Sequence, residues 1–252
     1  MRFAVIADIH GNVLALDAVL ADIATRGVER IVDLGDCVSG PLWPRETCER
    51  LRGLGLTTVR GNHDRWVATA DPERIYASDR FAREALDQSH VHWLGSLPHM
   101  VDFDVGGVLV RAFHATPGDD NAYLTEDVVG GRLALSPASA IAERLGDIHG
   151  AGLVLCGHSH IARVLQVPGS SAVIVNPGSV GQPGYDDPAE PHPHVSEVGS
   201  PHARYALVTI EGGAVTGVEQ IAVTYDWQAA AARAAANGRP EWAHALATGY
   251  MP

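Results

Sequence analysis

Arg2-Phe3-Ala4-Val5-Ile6-Ala7 runs directly into Asp8-Ile9-His10, an apolar stretch that stops on two side chains able to bind metal. Such a stretch suits a strand buried on both faces and falls far short of the ~18 apolar residues of a membrane span. Asp8 also interrupts it too early for the apolar centre of a secretion signal. Asn12 is placed to cap a helix whose apolar stripe, Val13, Leu16, Leu20 and Ile23, ends at Gly27. A second strand at 30–34 closes on Gly35-Asp36, and Pro44 opens a helix that runs to Gly53. A third strand at 57–59 closes on Gly61-Asn62-His63-Asp64. This β-α-β-α-β opening predicts parallel strands with a site at their C-terminal ends.

Farther along, the pattern mixes. A helix is expected over 78–88, and strands at 100–105 and 108–113 flank the hairpin signal Gly106-Gly107. Ser136 is placed to cap a helix through Leu145, and a strand at 153–156 leads into Gly157-His158-Ser159-His160. A hairpin joins 164–167 to 172–175, and a last strand pair covers 205–210 and 215–223. C-terminal helices at 227–248 comprise an alanine-rich one, stopped by Asn237-Gly238 and read as packing on a sheet, and a shorter one opened by Pro240. Mixed strands with outer helices predict an α/β (α+β) fold, a four-layer α-β-β-α sandwich of two mixed sheets flanked by helices. With no long linker, 1–252 reads as one domain. Residues 185–202, rich in Pro, His and acids and without periodicity, read as an exposed loop insertion.

Hydrophobic residues make up 46 % of the 252, enough for a sizeable core. Cys37, Cys48 and Cys156 are an odd set without a CxxC pair, which fits a reducing cytoplasm and no disulfide framework. A formal charge of −12 argues against tight non-specific nucleic-acid binding while leaving room for a small phosphorylated substrate. Oligomeric state is not legible.

Five groups place metal-binding or phosphate-handling residues directly after an apolar strand: Asp8-Ile9-His10, Gly35-Asp36, Gly61-Asn62-His63-Asp64, His114, and Gly157-His158-Ser159-His160. Residues two apart at a strand end face the same side, so Asp8 converges with His10 and His158 with His160. Gly35, Gly61 and Gly157 let the backbone turn sharply beside an ion. Carboxylate, imidazole and amide oxygen without thiolate suit Mn²⁺, Fe or Zn²⁺. Asp8 and Asp36 offset only part of the charge on two divalent ions, leaving a positive centre for a phosphate dianion. A water bridging such ions loses a proton near neutral pH and becomes the nucleophile. Taken singly, an Asp-x-His pair or a Gly-Asp turn means little. All five in order after separate strands point to a metal site.

The set resembles the calcineurin-like metallophosphoesterases, in their small bacterial and archaeal phosphodiesterase-like branch. The similarity continues through Asn176-Pro177-Gly178-Ser179-Val180-Gly181 and covers Met1 to Gln182, more weakly from Tyr205. It implies that Asp8, His10 and His160 hold one metal and that Asp36 bridges to a second, completed by Asn62, His114 and His158. It implies contact of His63 with the substrate phosphate and protonation of the leaving oxygen there. Asp64 would orient His63, as a carboxylate behind a catalytic imidazole does. Arg60 stands where the related protein phosphatases carry an arginine, whose guanidinium would grip phosphate oxygens. Ala115 replaces the glycine that often follows the fourth ligand.

The resemblance thus implies a phosphoesterase with two divalent ions per chain, Mn²⁺ favoured and Fe, Zn²⁺ or Ni²⁺ as alternatives. It would hydrolyse a phosphate mono- or diester by attack of a metal-bound hydroxide. A weak or inactive scaffold on the same fold is the second reading; the family's retromer subunit lacks the histidine present here as His63. A nuclease is disfavoured by the acidic balance. Cys37 reads as a small buried residue and His192 and His194 as parts of a solvated loop. His90, His92, His99, His149, His202 and His244 show no convergent partners. Specificity is expected in 38–45, 116–125 and 185–202, the last partly covering the metals.

Overall fold

The opening stretch forms β1 (Arg2–Ile6), and its alternate residues enter two different cores, Phe3 and Val5 in one and Ala4 and Ile6 in the other. The computed structural model describes every residue except Pro72, Pro168 and Glu190. After β1 come α1 (Val13–Thr25), β2 (Ile31–Asp33), α2 (Pro44–Leu54) and β3 (Thr57–Thr58). Three short helices follow, α3 (Asn62–Thr69), α4 (Ala77–Ala85) and α5 (Gln88–Ser96). The middle of the chain holds β4 (Met100–Val105), β5 (Val108–Phe113), β6 (Glu126–Val129), β7 (Arg132–Leu135) and α6 (Ala138–Leu145). Next are β8 (Leu153–Leu155), β9 (Arg163–Gln166), β10 (Val173–Asn176), β11 (Gly184–Asp187) and β12 (His194–Glu197). The chain ends in β13 (Ala203–Glu211), β14 (Ala214–Val223), α7 (Trp227–Ala236) and α8 (Pro240–Thr248).

Two five-stranded sheets have the orders β14-β13-β1-β2-β3 and β4-β5-β8-β10-β9. In the first, β1, β2 and β3 are parallel and β13 runs against β1; in the second, β5, β8 and β10 are parallel between antiparallel edges. Phe3, Val5, Ala206 and Val208 of the first sheet meet Val110, Leu153 and Leu155 of the second. On the outer faces, Ile6 and Leu207 lie in one core with Leu16, Val19, Ala230 and Leu246 of the helices, and Val154 and Ile174 in another with Ile141 and Leu145 of α6. Three cores between four layers are the expected α-β-β-α sandwich. Each fully buried Leu, Ile or Phe contributes roughly 1.5–3 kcal/mol to it. The alanines of α7, Ala230, Ala231 and Ala234, are buried in the helix-side core, as expected of a helix that packs closely.

The structure departs from the sequence reading in several elements. A third sheet of order β11-β12-β7-β6 is present, and β11 and β12 fall largely inside the segment read as an exposed loop. Ser196 is buried and donates to Ser159 O at 2.8 Å, so that segment is docked on the molecule; its Glu190 lies outside the described residues. The helix expected over 78–88 is α4, which ends at Ala85, and a further helix, α5, follows it. Asp87 separates the two and caps α5, its Oδ1 accepting from the Ser89 and His90 backbone N–H groups at 2.8 and 3.2 Å. Ser136 caps nothing; its hydroxyl accepts from Arg144 at 2.8 Å, and α6 starts after Pro137. No helix among the described residues is long and apolar enough to cross a membrane.

Candidate metal centre

The turns after β1, β2, β3, β5 and β8 converge. Asp8, His10 and His160 offer ligand atoms within 4.8 Å of one another, and so do Asp36, His114 and His158. The two clusters adjoin, because Asp36 Oδ2 lies 3.3 Å from His114 Nε2 and 3.8 Å from His10 Nε2. Asn62 is buried, lines the same cavity, and has an amide oxygen with no hydrogen-bond partner. Its Nδ2 donates to Asn121 Oδ1 at 3.1 Å, which leaves the amide oxygen facing the cavity unpaired.

The backbone is strained at the same positions. Six non-glycine residues among those described have positive φ, and five are Asp8, His10, Asp36, His158 and His160, at 51° to 68°. Each left-handed residue costs about 1 kcal/mol or more, so neighbours must hold it. The segment after β10 does this for Asp8. Val180 and Gly181 donate backbone N–H groups to Ala7 O and Asp8 O at 2.9 and 3.0 Å, and Ser179 Oγ donates to Asp8 O at 2.7 Å. A Cβ on Gly181 would stand 1.8 Å from Ile9 O, so only glycine permits that approach.

Each histidine is oriented by one ring nitrogen. Nδ1 of His10, His114 and His160 lies 2.8 Å from the carbonyl oxygens of Ser39, Leu34 and Gln182 respectively, and Nε2 of His158 lies 3.1 Å from Asn121 O. A carbonyl only accepts, so those nitrogens carry the protons and the other nitrogen of each neutral ring presents a lone pair. Nε2 of His10 and Nε2 of His160 then face each other at 3.1 Å, lone pair against lone pair. Only a proton or a cation relieves that contact. Asp8 Oδ1 and His114 Nε2 are likewise buried without hydrogen-bond partners. Burial opposes charge on His114, but with no cation beside it Asp36 and Asp8 outweigh burial and carry its pKa up to about 10, so a proton occupies Nε2 where a cation would otherwise sit. At His10, burial and then His160 push the pKa down to about 3. The donor set fits two divalent cations.

The clusters open into a cavity of about 380 Å³. The sequence profile of the calcineurin-like phosphoesterase superfamily domain matches residues 1–198. The chain belongs to that superfamily. An uncharacterized protein of Methanocaldococcus jannaschii is 30 % identical over 260 residues, 95 % of this chain and 94 % of that protein. The crystal structure of a metallophosphoesterase from Sphaerobacter thermophilus is 28 % identical, with a TM-score of 0.71 over 99 % of this chain and 100 % of that one. A hypothetical protein from Pyrococcus horikoshii OT3 shares the fold at 22 % identity, with a TM-score of 0.77 over 100 % and 99 % of the two chains.

Within this calcineurin-like frame, Asp64 and Arg60 stand elsewhere than expected. Asp64 does not orient His63. Its Oδ2 accepts from the Asp36 and Gly61 N–H groups at 2.9 and 3.0 Å, and its Oδ1 from Cys37 N–H at 2.9 Å. Asp64 thus clamps the Gly35-Asp36 turn to the start of α3. Burial, with the Asp36 charge added, raises its pKa to about 6. Arg60 is absent from the cavity lining; its backbone N–H donates to Pro98 O at 2.7 Å, which holds it against the α5–β4 connection.

The carboxylate behind His63 is Asp79, on the first turn of α4. Its Oδ1 lies 2.7 Å from His63 Nδ1, and the Asp79 side chain is fully buried. Burial disfavours a charged imidazole at His63, but Asp79 and Asp36 prevail and raise its pKa to about 9. Nothing in the sequence spacing marks Asp79; the break between α3 and α4 brings it back. His194 belongs to no solvated loop. It is buried, and its Nε2 lies 2.7 Å from Tyr123 Oη, which is 2.7 Å from Tyr185 Oη. Tyr123 stacks on His158 with centroids 4.8 Å apart. Cys37 is a small buried residue, as expected. Ser39, Asn121, Tyr123 and Tyr185 bring parts of all three expected specificity segments to the cavity, and Arg239, Trp242 and Met251 add a C-terminal wall that the sequence did not reveal.

Proposed function

We propose that this chain is a two-metal phosphoesterase acting on a phosphate mono- or diester. The observation that carries the reading is the facing pair of His10 and His160 Nε2 atoms beside the unpartnered Asp8 Oδ1, an arrangement that a shared cation would make favourable. Asp8, His10 and His160 would hold one ion and Asn62, His114 and His158 the other. Asp36 reaches both clusters and would bridge them. Two bound divalent ions supply Lewis-acid activation of water and charge compensation at the phosphoryl group.

The chain's own residues do the rest. His63 is fixed through Nδ1 by Asp79 and by its backbone N–H, which donates to Asp36 Oδ1 at 3.0 Å. Its Nε2 is the nitrogen left for the cavity, placed to give a proton to the leaving oxygen. Asp79, 2.7 Å from His63 Nδ1, favours the charged imidazole. Asp64 holds the Asp36 backbone in place throughout. Oxygen and imidazole donors without thiolate favour Mn²⁺, with Fe, Zn²⁺ or Ni²⁺ as alternatives.

The test is reconstitution with Mn²⁺, Zn²⁺, Ni²⁺ and Mg²⁺ separately, elemental analysis, and turnover on a panel of phosphate mono- and diesters. Two ions per chain and metal-dependent hydrolysis of at least one class are expected. Metal content that stays at trace levels, or two bound ions with no hydrolysis of any ester, sinks the reading.

A further inference from the structure

The cavity above the clusters is aromatic where it leaves the metals. Trp66 packs edge-on against His63 with centroids 4.8 Å apart, and Tyr76 lies tilted against Trp66 at 5.5 Å. Tyr76 is 44 % exposed and lines the cavity. Across the cavity, Trp242 of α8 stands edge-on to His10 at 6.1 Å. His63 is the residue placed beside the leaving oxygen, so the Trp66–Tyr76 wall flanks the leaving group rather than the phosphoryl oxygens.

Charge narrows the occupant further. Arg239 is the one arginine or lysine among the described residues lining the cavity. It is already committed, with Nε 2.5 Å from Glu241 Oε1 and Nη1 3.1 Å from Ser78 Oγ. Outside the candidate metal ligands, Asp186 and Asp187 add negative charge to the lining. Burial first and Asp187 next push the Tyr76 phenol pKa upward, which places Asp187 in the field of that ring. The Tyr123 and Tyr185 hydroxyls are bonded to each other and offer no cation. A second phosphate or a carboxylate on the substrate would meet Asp186 and Asp187, and an arginine whose charge Glu241 already offsets, which disfavours its binding.

We infer that the substrate carries one phosphoryl group and a planar aromatic group, with no second anionic group, and that the ring lies against Trp66 and Tyr76. This rests on the phosphoesterase reading above and adds the chemistry of the non-phosphoryl half. Stacking a ring on such a wall is worth about 1–3 kcal/mol, or ~5-fold in affinity at the lower end and ~10-fold at about 1.4 kcal/mol.

Phosphonates, whose carbon–phosphorus bond resists hydrolysis, separate the two claims. Isothermal titration of the Mn²⁺-loaded protein with phenylphosphonate, methylphosphonate and 4-carboxyphenylphosphonate gives three dissociation constants. Phenylphosphonate should bind ~10-fold more tightly than methylphosphonate, and the carboxylated ring more weakly than the plain one. A phenyl-to-methyl preference below about 3-fold overturns the aromatic inference. A carboxylated ring that binds as tightly as the plain one, or tighter, overturns the single-anion inference. In the Trp66→Leu, Tyr76→Leu double variant, checked for metal content and thermal unfolding, the phenyl preference should fall below about 3-fold. An unchanged preference there removes the ring from that wall. If methyl- and phenylphosphonate bind equally, only this inference falls; if neither binds the loaded protein, the phosphoesterase reading falls with it.

Discussion

The floor of the cavity and its rim are built on different principles. The floor consists of short turns at the ends of buried strands, where Asp8, His10, Asp36, His158 and His160 sit in left-handed backbone and are locked by neighbouring carbonyls and amides. The rim consists of α3, α4, the third sheet and α8, which bring three separate stretches of the chain to the cavity. Strain and buried unpartnered atoms concentrate in the floor; aromatic rings and acids concentrate in the rim. The family profile ends at residue 198, so the α8 wall lies beyond the part of the chain that defines the superfamily. On the proposed function, the contrast means that chemistry at phosphorus and choice of leaving group would be set by separate parts of the molecule.

The comparison breaks most completely at Asp36, the floor residue reaching both clusters. Asp36→Asn should lower turnover ~1,000-fold or more and reduce bound metal, read by initial rates with elemental analysis. Normal rates with two metals retained would show that the floor does not depend on it. His63→Gln, where floor meets rim, should retain both metals yet slow hydrolysis ~100-fold or more. Metal loss in that variant would move His63 into the ligand set.

Asp79→Asn should have a smaller effect. It removes the charge behind His63 without touching a ligand, so kcat should fall ~10-fold with KM and metal content little changed. A rise in KM alone would make Asp79 part of the rim rather than a positioning residue.

The smallest effect is on stability, beneath the floor. Asp33 is fully buried, and burial, then the Asp64 charge, raise its pKa from 3.8 to about 8. A raised carboxyl pKa means that its contribution to stability is fully present below 3.8 and is lost as pH rises through 8. At neutral pH the folded chain must therefore keep a proton that the unfolded chain releases, at a cost on the order of a few kcal/mol. Asp33→Asn should raise the melting temperature of the metal-free protein at pH 7, with the gain vanishing near pH 4. A gain independent of pH would contradict the protonated state.

Much of the floor was legible in the sequence because each ligand group is local. Asp8-Ile9-His10 and Gly157-His158-Ser159-His160 follow apolar strands, and the two-residue period of a strand end is visible without coordinates. Asp64 is not the carboxylate behind His63 that the resemblance implies. The start of α3 instead folds its carboxylate back onto Gly61, Asp36 and Cys37. The 185–202 segment was misjudged because β11 and β12 gain their strand character from pairing with each other and from one contact with β7, not from apolar alternation.

By itself the sequence determined the layered sandwich, the strand ends that carry the candidate ligands, and the superfamily. These depend on periodicity and on residues a few positions apart, which the chain states directly. Only the tertiary structure decided that Asp79 stands behind His63, that His194 and two tyrosines back His158, and that Trp242 walls the cavity. Such contacts join residues separated by long stretches of chain, and burial and packing select them after the elements have formed.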